Sequence, residues 1–162
     1  MSMVQAQKET NDNKLPVSGK ALIKSRFGEI EVDYSKAVYF PKGLYGFPPE
    51  LHFSIVQFPN PNLQAFSLLQ CLNDHSISFP VFPVGYNNEF IHEKDMNECI
   101  KAVDVDPKNF AMLFISSSEK NDDGTFKVSV NTKAPIIVDV NLQMAVQYIF
   151  TNNKYSTKHY IV

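Results

Sequence analysis

Short apolar runs, each closed by a turn signal, follow one another from Ala21 to Phe150, and this cadence limits the fold more than any other feature. Strands need about 4–8 residues and helices ten or more, so such close punctuation favours strands. Ile30 and Val32 alternate with Glu29, Glu31 and Asp33, giving one apolar and one wet face. Residues 51–58 form a strand pattern ended by Pro59-Asn60-Pro61. Residues 65–72 are almost continuously apolar, as in a strand buried on both faces. Residues 78–82 are interrupted by Pro80 and followed by Pro83, which places them at an edge or bend. Residues 110–115 return to strand, and the loop at 117–121 leads to Asp123-Gly124, a hairpin signal before Phe126, Val128 and Val130. Residues 136–140 and 144–150 pair last, turning at Asn141-Leu142.

One helix interrupts this pattern. Met96, Cys99, Ile100 and Val103 fall at i, i+3, i+4 and i+7. Glu93 and Asp95 sit in its first turn, where carboxylates suit the positive end of the dipole. The expected fold is therefore all-β: a single antiparallel β-barrel-like domain with one or two short helices. Closure hides strand edges that would otherwise pair with other chains. The 162 residues suit one domain, and 44% apolar content is enough for a core. Residues 1–18 are polar and read as a flexible N-terminal tail, with the barrel domain spanning 19–162.

Residue types set limits on function. The net charge of −2 argues against a dedicated nucleic-acid binder. Charge is uneven: residues 86–123 hold nine acids and four bases, and residues 124–162 one acid and four bases. Cys71 and Cys99 make no disulfide framework, and the start lacks the apolar core of a signal peptide. No apolar run reaches the ~20 residues of a membrane helix, so a reducing cytoplasm is expected, with no membrane partner.

A search for chemistry yields little. Cys71 and His75 are four apart, but Cys71 lies in an apolar strand where a buried inert thiol is the simpler reading. Histidines 52, 75, 92 and 159 are scattered, without metal-site spacing. Asp122-Asp123-Gly124 lacks the alternating ligands and closing glutamate of a calcium loop. Aromatics and bases interleave at Tyr148, Phe150, Lys154, Tyr155, Lys158 and Tyr160, a pattern that can stack single-stranded nucleic acid, though a strand and solvated tail explain it as well. No catalytic, metal or cofactor site is expected. Three classes remain: a protein-binding domain, a barrel around a small ligand, and a nucleic-acid-binding barrel.

Five short motifs narrow this choice. Phe40-Pro41-Lys42-Gly43-Leu44-Tyr45-Gly46-Phe47 reads as a strand ending in a compact turn with its aromatics buried. Pro41 suits the second position of a turn closed by Gly43, and Gly46 a second reversal. Arg26-Phe27-Gly28-Glu29-Ile30-Glu31-Val32, Phe79-Pro80-Val81, Ala134-Pro135-Ile136-Ile137-Val138 and Lys154-Tyr155-Ser156-Thr157-Lys158-His159 accompany it. Together, in their order along the chain, they resemble the flagellar assembly factor FliW family. The resemblance implies a small cytoplasmic protein that binds flagellin; with no catalytic set, a non-enzymatic monomer is expected. The resemblance also implies binding to CsrA, an RNA-binding repressor of flagellin synthesis, without direct contact to nucleic acid. Free FliW would restrain CsrA, and accumulating flagellin would occupy FliW, matching synthesis to export. Phe40, Pro41, Gly43, Leu44, Gly46, Phe47, Phe79 and Pro80 are expected to build shape. Asn131, Lys133, Pro135, Tyr155, Lys158 and His159 are the candidates for a protein-binding surface, being close to motifs yet polar.

Overall fold

The computed structural model describes residues 15–161, so most of the expected tail lies outside the described residues. β1 (Lys20–Ser25) and β2 (Gly28–Asp33) form a hairpin, from Lys20 opposite Asp33 to Ser25 opposite Gly28. β3 (Val38–Phe40), β4 (Leu51–Gln57), β5 (Ser67–Cys71) and β6 (Ser78–Val84) follow as an antiparallel meander. The helix α1 (Glu93–Val103) then leads to β7 (Phe110–Lys120). β8 (Phe126–Val130), β9 (Ile136–Asp139), β10 (Met144–Gln147) and the short β11 (His159–Tyr160) complete the chain.

Seven strands close a barrel in the order β7-β6-β5-β4-β3-β10-β9, and β9 returns to β7. A ring with an odd number of strands cannot alternate direction throughout, so one seam must be parallel. That seam is β3 with β10, where Met144 faces Tyr39. The Tyr39 N–H donates to the Gln143 carbonyl there at 2.8 Å. The outer half of β7 leaves the ring to pair with β8, which carries β11 at its free edge.

Three packed layers share these strands. Phe40, Phe53, Leu69, Val81, Leu113 and Ile136 fill the barrel interior. Met112, Phe114 and Ile137, alternating with them, face outward to the Met96, Cys99, Ile100 and Val103 stripe of α1. On the opposite side, the hairpin lays Ile23, Ile30 and Val32 onto Leu68 and Leu72. β5 is thus covered on both faces, as its apolar run requires.

Three expectations need correction. β6 is not an edge strand; it lies between β5 and β7. Its prolines fit because Pro80 falls where only β5 pairs with it and Pro83 where only β7 does. A missing N–H directed to the open side breaks no ladder bond. Residues 117–120 are not loop: Ser117 to Lys120 pair with Ser129 to Phe126, so cross-strand pairing overrides their weak strand preference. Finally, Phe40 is fully buried, but Tyr45 is 64% and Phe47 38% exposed.

Candidate protein-binding surface

The two segments singled out for binding are far apart in sequence and adjacent in space. Asn131 turns the chain after β8, its Oδ1 accepting the N–H groups of Lys133 and Ala134 at 3.1 and 3.0 Å. That turn directs the N–H groups of Thr132 and Lys133 at the Ser156 carbonyl, at 3.0 and 3.2 Å. Thr132 adds its hydroxyl to the same oxygen at 3.1 Å. His159 then pairs with Val130 as β11 joins β8.

The individual residues divide by exposure. Pro135 and Tyr155 are buried and shape the surface from beneath. Asn131 and Lys133 are half-buried, and Lys158 and His159 are exposed. The Lys158 ammonium is already engaged by Glu119 at 2.9 Å, and Glu119 also accepts the Tyr160 hydroxyl at 3.2 Å. That contact draws the Lys158 amine up and holds Glu119 below its usual range. Both side chains are open to solvent, which screens the pair and leaves it little weight in stability. The His159 ring stands edge-on to Phe90 at 5.4 Å.

Beneath this surface lies a group that residue patterns did not reveal. Asp95 is a carboxylate only 4% exposed. Tyr155 donates its hydroxyl to Asp95 Oδ2, Lys154 Nζ reaches the same oxygen at 3.2 Å, and Tyr155 Oη accepts the His92 N–H at 3.1 Å. The Tyr155 bond holds the Asp95 carboxyl below its usual range, against the opposing effect of burial, with Lys154 adding to the shift. Burial first, and the carboxylate second, push the Tyr155 phenol up to about 12. This knot ties the C-terminal segment to the first turn of α1. One signal was available: Asp95 precedes Cys99 by four residues and so shares the buried side of the helix.

The 40–47 segment forms two tight turns. Gly43 N–H donates to the Phe40 carbonyl at 3.0 Å and Phe47 N–H to the Leu44 carbonyl at 2.9 Å. Gly43 and Gly46 take φ of 64° and 90°. Leu44 is 3% exposed and anchors the loop in the barrel core, while Phe47 stands edge-on to Phe79 at 5.2 Å. Pro41 is half-buried, as the second residue of the first turn.

The remaining chemistry is muted. Cys71 and Cys99 are buried, and burial pushes the Cys99 thiol up to about 12. Among the described residues, no three His, Cys, Asp or Glu side chains group as metal ligands, and no helix is long and apolar enough to cross a membrane. Of the C-terminal bases, Lys154 and Lys158 are engaged by Asp95 and Glu119, and Lys127 sits over the Tyr160 ring at 5.6 Å.

Comparison with known proteins settles the family. The model of the FliW protein family matches residues 21–161. The chain belongs to the FliW family. Flagellar assembly factor FliW of Ruminiclostridium cellulolyticum is 30% identical over 147 residues, covering 85% of this chain and 91% of its own length. The flagellar assembly factor FliW of Oceanobacillus iheyensis is 29% identical over 136 residues, covering 83% and 88%. A crystal structure of the flagellar assembly factor FliW superposes with a TM-score of 0.62 at 22% identity, covering 86% of this chain and 96% of that one. The last of these shows the shared fold. FliW relatives are thus named as assembly factors, not as enzymes.

Proposed function

We propose that this FliW-family chain is a non-enzymatic protein of the cytoplasm that binds flagellin before export and antagonises the translational regulator CsrA. Flagellin that accumulates occupies the chain and releases CsrA, so synthesis follows export. The observation that carries the reading is the family match along residues 21–161, almost all of the described barrel. The structure is consistent with it in two respects. The barrel interior is filled with side chains such as Phe40, Phe53 and Leu69 instead of framing a ligand cavity. The C-terminal lysines are engaged internally instead of forming a basic track for nucleic acid. We place the binding surface on Asn131, Lys133, Lys158 and His159, supported from below by Pro135 and Tyr155. The test is capture from host lysate on the immobilised full chain. Retention of flagellin, and of CsrA when flagellin is depleted, is expected. Failure to retain either protein contradicts the reading.

A further inference from the structure

The turn at 44–47 holds Tyr45 in solvent and Phe47 partly exposed against Phe79, on a backbone with little freedom to withdraw them. Its backbone is fixed at four points: the two turn bonds, Glu50 N–H to the Pro41 carbonyl at 3.1 Å, and Tyr45 N–H to Gln147 Oε1 at 3.0 Å. Leu44 anchors it in the core, and Gly43 leaves no room for a side chain, since a Cβ there would meet the Pro48 carbonyl oxygen at 2.0 Å. The turn nonetheless leaves Tyr45 64% and Phe47 38% exposed. A single exposed aromatic is ordinary. Two on one rigid turn beside an open hollow resemble the anchors of an interface, where rigid aromatics lose little entropy on binding.

The hollow has a volume of about 250 Å³ and lies between this turn and β10, lined by Lys42, Leu44, Tyr45, Phe47, Val146 and Gln147. That is below the ~300–1,000 Å³ of sites that enclose a small ligand, and suits side chains delivered by a partner. Its charge points to the partner's chemistry. Lys42 is exposed on the rim, and neither it nor Lys133 has an ion pair among the described residues. Segments 40–50 and 131–150 contain two acids, of which Asp139 is buried, leaving Glu50 against two lysines. The face thus carries on its rim a cation, Lys42, with no ion pair among the described residues. It is also continuous with the surface described above, because Gln147 holds Tyr45 with Oε1 and the Ala134 carbonyl with Nε2 at 3.1 Å.

We propose that the Tyr45–Phe47 turn and its hollow receive an apolar segment of flagellin that carries a carboxylate toward Lys42. This rests on the flagellin reading and states where and by what chemistry it is met. The test uses the full chain and monomeric flagellin in surface plasmon resonance, with Tyr45→Ser and Lys42→Glu as separate variants and melting temperature as the control for folding. Tyr45→Ser should weaken binding about tenfold or more, as loss of a central aromatic anchor does. Lys42→Glu should weaken it several-fold, and that deficit should shrink at high salt. Both melting temperatures should stay at the wild-type value. Wild-type affinity in both variants would overturn this inference and leave the flagellin reading intact. No binding by the wild-type chain would overturn both.

Discussion

Gly43 and Gly46 look alike in sequence, three residues apart in one loop, yet the structure makes different demands on them. Both have positive φ, which costs a substituted residue about 1–2 kcal/mol. Only Gly43 also meets backbone, with the Pro48 oxygen 2.0 Å from a Cβ built there; at Gly46 nothing lies within 4 Å. Gly43→Ala should therefore destabilise clearly more than Gly46→Ala in urea titration, with Gly46→Ala costing about 1–2 kcal/mol. Equal losses would mean that the Pro48 contact relaxes freely. The turn was legible because Pro41 and the glycines dictate its backbone. The exposure of Tyr45 and Phe47 was not, because an aromatic beside buried residues reads as core until the turn direction is known.

Tyr155 makes the second residue-scale case. Tyr155→Phe keeps the ring in the core and removes the bond to Asp95, leaving a buried carboxylate with less support. The expected loss is about 1.5–3 kcal/mol near neutral pH, the range for hydrogen bonds to charged groups. Asp95 has a folded pKa below its ordinary 3.8, so its contribution is present above that value and is lost as pH falls through the folded pKa. The gap between wild type and Tyr155→Phe should be constant at pH 6–8 and should narrow below about pH 4. A gap that widened on acidification would contradict the role given to Asp95.

At the scale of elements, β5 shows what the pattern carried. Its nearly continuous apolar run implied two covered faces, and the hairpin on one side and the barrel interior on the other supply them. Leu68 and Leu69 are both fully buried although they point to opposite faces. Leu68→Ala and Leu69→Ala should each cost about 2–5 kcal/mol in equilibrium denaturation. A near-neutral Leu68→Ala would mean that the hairpin docks only loosely. α1 was equally legible, since its stripe needs only local spacing. β6 and the far half of β7 were not. Proline and serine runs depress strand preference, and only the partner strands show which backbone groups lack a ladder. β11 was hidden for the same reason: two residues have no periodicity of their own.

At the scale of the molecule, the number of short strands implied an antiparallel sheet curled into a barrel or a sandwich, and the pairing of β9 with β7 makes it a closed barrel. The position of its parallel seam depended on the final pairing of β10 with β3, which no local signal encodes. The candidate surface followed a similar course. Residues 131–135 and 154–159 were chosen for polarity next to recognisable motifs, and the chain does bring them together through Ser156. Polarity alone did not reveal that Tyr155 is buried or that Lys158 is already paired. The central claim is that this barrel binds flagellin. It is tested most directly by titration calorimetry of the full chain with monomeric flagellin at two salt concentrations. Saturable heat at micromolar protein, with affinity falling only modestly as salt rises, is the predicted result, because few unpaired charges face the partner. No heat and no co-elution at tens of micromolar would contradict it.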